Sequence, residues 1–223
     1  NTGSFVGGSA AYPKRVTLTP EQVASTNASA RAALRDWRLS AGVLPFERTR
    51  QQAAEAGITL DAASVSWNDS FTDEELRATC RQARALGVRV VRSPLSMAVL
   101  DRVLPFVESE DLLVAVHTQP DGEGLIGPQA FEAALAKSPR VRLALDLGNL
   151  TAGGCDALAV LDQYRSRVTE VIVKDRLQRH GASQPFGEGD TPIAAAMQRL
   201  ASSAPGIPAF VEYDYVGLRP MAD

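Results

Sequence analysis

The sequence predicts one α/β domain over residues 1–223, a (β/α)8 TIM barrel that is irregular or incomplete in its first unit and its last helix. Three observations carry this expectation. Short β-branched runs alternate with amphipathic stretches along most of the chain, the pattern of a parallel sheet. Helix-ending glycines lead directly from a helical stretch into the next run. Ionisable residues fall at the C-terminal ends of several different runs, where barrel enzymes place their chemistry.

In chain order, Thr19-Pro20-Glu21-Gln22 reads as a capping box with proline at the first helical position, so a helix starts there. The Gly3–Thr17 region and Trp37–Leu44 would supply the first two strands. A helical stretch over Gln51–Ala56 ends at Gly57 and passes into a strand over Ile58–Trp67. Thr72-Asp73-Glu74-Glu75 is a second capping box, followed by the apolar stripe Leu76, Cys80 and Ala83 and a stop at Gly87. The remaining strands are Val88–Arg92, Leu112–His117, Val141–Leu147, Val168–Lys174 and Pro208–Asp214. The chain ends too soon after the last of these for a closing helix.

Composition narrows the function classes. A length of 223 residues, 45% hydrophobic and 22% charged with a net charge of −3, describes an ordinary globular chain. Lys and Arg are scattered, so nucleic acid is not an expected partner. No run approaches the roughly 20 apolar residues of a membrane helix, so no membrane partner is expected either. The chain opens on Asn1 without a Met, which leaves both a cytoplasmic location and export with a removed leader open. Cys80 and Cys155 lack CxxC spacing and read as free thiols rather than a zinc or redox motif. Gly187-Glu188-Gly189 is too short for a dinucleotide fingerprint, so no nucleotide cofactor is expected. Assembly into a homo-oligomer stays open.

Strand parity places the chemistry. If the continuously apolar set Val141, Leu143, Leu145 and Leu147 faces the helices, then Arg142, Ala144 and Asp146 face the lumen. The same parity turns Leu113, Ala115 and His117 inward, then Glu170, Ile172 and Lys174, then Phe210 and Glu212. His117, Asp146, Lys174 and Glu212 thus meet at the rim. Two buried carboxylates require a compensating cation, either a metal or Lys174. Lower in the barrel, Arg142 and Glu170 share the N-terminal layer and could pair, as a stability device rather than a functional one. Trp67 and Asn68 could offer a sugar an aromatic face and an amide, and Arg92 a guanidinium for a carboxylate or phosphate, or else a salt bridge. His180 reads as a solvated loop histidine.

On these residues the chain from about Gly57 to Tyr215 resembles the sugar phosphate isomerase/epimerase family, the xylose isomerase-like barrels that include inosose dehydratases and keto-sugar epimerases. The carrying stretches are Leu113-Val114-Ala115-Val116-His117-Thr118-Gln119, Leu145-Asp146-Leu147-Gly148-Asn149, Val173-Lys174-Asp175-Arg176, Phe186-Gly187-Glu188-Gly189-Asp190 and Phe210-Val211-Glu212-Tyr213-Asp214. The resemblance implies a divalent metal (Mn, Zn, Co, Fe or Mg) held by His117, Asp146 and Glu212, and a small-molecule sugar or cyclitol substrate. It implies isomerisation, epimerisation or a related elimination by proton transfer beside a carbonyl. Gln119 and Asn149 stand where relatives often carry histidine and are expected to face the substrate. The chain departs from the pattern at Ile172, where the family has its remaining metal-binding histidine. Three readings follow: a three-ligand metal site; a metal-free site in which Glu212, Lys174 and Asp146 carry the proton transfers; and a non-catalytic sugar-binding barrel or inactive subunit.

Overall fold

Six parallel strands pair strictly in chain order in the computed structural model, which describes residues 20–120 and 124–213. They are β1 (Ala62–Ser64), β2 (Val90–Ser93), β3 (Leu113–His117), β4 (Val141–Asp146), β5 (Val168–Val173) and β6 (Ala209–Val211). The helices of this part are α2 (Leu44–Glu55), α3 (Asp73–Leu86), α4 (Met97–Ser109), α5 (Pro128–Leu135), α6 (Leu147–Ala152), α7 (Ala157–Tyr164) and α8 (Ile193–Ser203). Sequential parallel neighbours joined by helices make the wall of a barrel. Among the described residues this wall is incomplete, with β1 and β6 as its two edges.

The described residues divide into two compact units, one ending at Ser40 and the other beginning at Ala41. The described part of the first is helix α1 (Pro20–Ser40). The expected strand over Trp37–Leu44 is therefore corrected: α1 runs on through Trp37, Arg38 and Leu39, and α2 begins at Leu44. The segment has only one β-branched residue, Val43, and follows an Ala- and Arg-rich stretch of high helix propensity, while Pro45 suits a helix's first turn. The expected strand in the Gly3–Thr17 region lies outside the described residues, as do Thr19 of the first capping box and Asp214. Ile58–Trp67 is extended only in part. Ile58 N donates to Ala53 O and so closes α2, and the ladder is confined to Ala62–Ser64.

Elsewhere local signals and observed elements coincide. Thr72 Oγ1 accepts from Glu75 N while the Glu75 carboxylate accepts from Thr72 N, and α3 ends on Gly87 in the left-handed conformation at φ 89°. Parity also holds. Val114, Val116, Leu143, Leu145, Leu147 and Val171 join the main core between sheet and helices, where Phe131 packs edge-on against Tyr164 at 5.8 Å. Ala115, Ala144 and Ile172 form a separate small cluster. Cys80 is a free, buried thiol, and burial, with the nearby Glu110 charge, pushes it up to about 12. Cys155 is free and half-buried.

Removing the Thr72 cap should cost about 1 kcal/mol. Urea unfolding of Thr72→Ala is expected to show that loss at an unchanged m-value, and an unchanged midpoint would mean that α3 does not depend on its capping box.

Candidate functional site

The site is assembled at the C-terminal ends of β3 to β6. Asp146 ends β4 and is fully buried. It is also the N-cap of α6: its Oδ1 accepts from Asn149 N at 2.8 Å, and its own N–H donates to Thr118 Oγ1 at 2.9 Å. These bonds leave Oδ2 aimed at the mouth, 3.4 Å from His117 Nε2 and 3.6 Å from Lys174 Nζ. Lys174 follows β5, and its Nζ lies 2.6 Å from Glu212 Oε1. The backbone of Glu212 continues the ladder by donating to Val173 O at 3.0 Å. All four rim residues foreseen from parity therefore meet. The Glu212 side chain, 38% exposed, is the open member of the group, whereas that of Lys174 is 8% exposed.

Two glycine contacts hold this arrangement. A Cβ on Gly148 would lie 2.8 Å from the Lys174 carbonyl oxygen, so only glycine lets α6 approach the end of β5 this closely. One on Gly189 would meet Asp175 Oδ1, because the 186–190 segment wraps around that buried carboxylate. Asp175 accepts from Gly187 N at 2.8 Å, Gly189 N at 3.1 Å and Thr191 N at 3.2 Å. The quoted Phe186–Asp190 motif thus serves to fold the loop after β5. Its signal in the sequence was a paired glycine with no nucleotide context.

The expected substrate contacts divide. Trp67, Asn68 and Gln119 line one cleft of about 230 Å³ with Pro94, Leu95, Ser96, Val99 and Gly124. Trp67 itself is 1% exposed and donates its Nε1–H to Thr79 Oγ1, so its indole is mainly core. Asn68 is exposed and shapes its own turn, donating to Ser66 O and accepting from Ser70. Asn149 is buried as a clamp between Thr118 O at 2.9 Å and an Arg176 N–H at 2.7 Å. Neither this cleft nor a second cavity of about 340 Å³, lined by Thr151, Cys155, Asp156 and Asp190 among others, includes any of the four rim residues.

Arg92 pairs with buried Glu170 at 3.5 Å. The expected Arg142–Glu170 pair is corrected. Leu143 pairs with Val168 and Ala144 with Glu170, with Thr169 bulged between them, so Glu170 stands level with Ala144 and not with Arg142. Arg142 turns instead to the carbonyl oxygens of Pro139 and Val141. Burial pushes the Glu170 carboxyl above its ordinary value near 4.5, and the Asp61 charge adds to this, while Arg92 and His117 oppose it. His180 is exposed in the loop after β5, where its backbone N–H donates to Ala152 O.

One imidazole nitrogen and two carboxylate oxygens from His117, Asp146 and Glu212 lie within 4.8 Å of one another. This donor set fits a divalent ion such as Zn or Mn, with water or substrate completing the shell. Ile172, fully buried, offers only hydrocarbon on its side of the site.

No protein-family model matches the chain, and no curated protein matches it by sequence. Solved structures do share its architecture. The probable 3-DHS dehydratase AsbF of Bacillus anthracis, involved in petrobactin synthesis, aligns with TM-score 0.62 at 13% identity over 75% of this chain and 74% of its own. The IolI protein with a bound zinc atom aligns with TM-score 0.61 at 15% identity over 75% and 72%. A sugar phosphate isomerase/epimerase from Parabacteroides distasonis aligns with TM-score 0.58 at 14% identity over 77% and 70%. At these identities the likeness is one of fold alone, an α/β barrel wall of parallel strands and helices.

The Glu170 environment has a pH signature. A carboxyl whose folded-state value is raised contributes stability that is fully present below its unfolded value and is lost as pH rises through the folded one. Wild type should therefore lose stability relative to Glu170→Gln as pH is raised from about 4 to about 7. Parallel urea curves across that range would contradict the raised value.

Proposed function

We propose that the chain is an isomerase, epimerase or related lyase acting on a small sugar or cyclitol by proton transfer at the carbon beside a carbonyl. The observation that carries the reading is the meeting of His117, Asp146, Lys174 and Glu212 at the C-terminal mouth.

Each residue has a part that its position supports. Glu212 presents a carboxylate partly open to solvent and accepts the proton from the substrate carbon. As that C–H bond breaks, its electron pair forms the carbon–carbon double bond of an enediolate and the negative charge passes to the former carbonyl oxygen. The Lys174 ammonium, nearly closed off from water, donates a hydrogen bond to that oxygen. Asp146, fixed by Asn149 and Thr118, orients His117 and Lys174. Returning the proton to the neighbouring carbon, as the hydroxyl proton there passes to the former carbonyl oxygen, isomerises the substrate, whereas protonation of the original carbon from its other face by a second acid epimerises it. In an elimination the β-hydroxyl leaves as water, with its proton supplied by Lys174. A divalent metal held by His117, Asp146 and Glu212 would supply Lewis-acid polarisation of the carbonyl. The cleft lined by Trp67, Asn68 and Gln119 suits the remainder of the sugar, with apolar Pro94, Leu95 and Val99 against its C–H face.

Incubation of keto-sugars and inososes in D2O is expected to incorporate deuterium at the carbon beside the carbonyl. Glu212→Gln should slow this at least about 100-fold while the melting temperature stays close to that of wild type. Full exchange by the mutant would remove Glu212 from the mechanism, and binding without exchange across the panel would favour the non-catalytic sugar-binding barrel.

A further inference from the structure

We propose that Lys174 is an internal competitor of the metal: its ammonium and a divalent cation are alternative partners of Glu212, so that metal entry and release of the Lys174–Glu212 pair are a single event. The inference rests on the metal site of the proposed function and describes how that site is loaded.

The distances make simultaneous occupancy costly. Lys174 Nζ is 2.6 Å from Glu212 Oε1 and 3.6 Å from Asp146 Oδ2, and both carboxylates belong to the His117, Asp146 and Glu212 donor group. An ion bonded to Glu212 Oε1 at about 2.0–2.2 Å would lie no more than about 5 Å from the ammonium, in a mouth poorly screened by water. Three positive charges would then face two carboxylates. With the ammonium alone, one positive charge faces two negative ones, so the group is already partly compensated without an ion.

The two partners of the short contact differ in freedom. Asp146 is fully buried, with Oδ1 held by Asn149 N and its backbone N–H by Thr118. Lys174 is nearly as enclosed, and its backbone is pressed against Gly148. Glu212 lies just beyond the last residue of edge strand β6, and its side chain is 38% exposed. The contact that must open for metal is thus the outermost one, made by the member best able to move. Ile172 sharpens the competition, because an ion that lacks a fourth protein donor depends more heavily on Glu212.

The test is equilibrium dialysis against Zn and, separately, Mn, using the full chain as wild type, Lys174→Met, Glu212→Gln and the double variant, with Lys174→Gln as an alternative should Lys174→Met fold poorly. Removal of the lysine charge is expected to tighten metal binding at least about tenfold in the wild-type background and less than about threefold once Glu212 is already Gln. Equal or weaker binding by both lysine variants would overturn the proposal, as would an equal gain in the two backgrounds or the absence of binding by every variant. Loss of deuterium exchange on all sugars with this pattern intact would count against the proposed reaction and leave the competition standing.

Discussion

Burying the carboxylate of Asp146 is the constraint on which the rest of the mouth depends. A carboxylate shut off from water is tolerated only where hydrogen bonds and opposite charge replace its hydration. Here the replacements come from three directions. The first turn of α6 supplies an amide, the end of β3 contributes His117, and the end of β5 supplies an ammonium. Each fixes the end of one element relative to β4, so satisfying one buried charge also aligns three strands and a helix. Asn149 extends the same logic by joining Thr118 O to Arg176. The chemistry of the mouth and the packing of its wall are therefore not separable here.

The lumen below follows a different rule. Ala115, Ala144 and Ile172 fill it with small hydrocarbon groups. Glu170 is the exception, a buried carboxyl facing Arg92 across the barrel. Glu170 stands in the row of Ala144 and His117, while Arg92 and Arg142 share the row of Ala115; Arg142 is held by the Pro139 and Val141 carbonyls, and Arg92 meets Glu170. With Arg92 committed to Glu170, the open cleft at the ends of β1 to β3 is left with neutral side chains among its described lining. That suits hydroxyl groups and C–H faces.

The loop after β5 shows how far backbone groups can stand in for side chains. Three amides converge on Asp175, and the absence of a Cβ at Gly189 is what allows the approach. The loop brings Phe186 to 6.3 Å from the ring of Tyr213, which follows Glu212 directly. The carboxylate of Asp175 lies next in sequence to Lys174 yet serves only the fold, whereas Lys174 serves the mouth.

From α3 onward the sequence by itself determined the elements and their facing, because both rest on local periodicity, whereas before it the expected strand over Trp37–Leu44 proved helical. Alternation in Val141–Leu147 sends Asp146 inward, and it does so in any barrel. Capping at Thr72 and the glycine stop at Gly87 are likewise written within a few residues. The meeting of His117, Asp146, Lys174 and Glu212 was legible for the same reason, since parallel strands carry their C-terminal ends to one face. Partnerships were not legible where they turn on distances between strands. Only the tertiary structure paired Glu170 with Arg92 rather than Arg142, because the two arginines share one row of the sheet and the turn of Arg142 to the Pro139 and Val141 carbonyls is not written in the apolar pattern. Only it turned Trp67 and Asn149 into packing and clamping residues, since burial depends on what covers a side chain and not on its position along a strand. And although the sequence already put the Lys174 ammonium near Asp146 and Glu212, only the tertiary structure set it closer to Glu212, because those distances depend on the curl of the sheet.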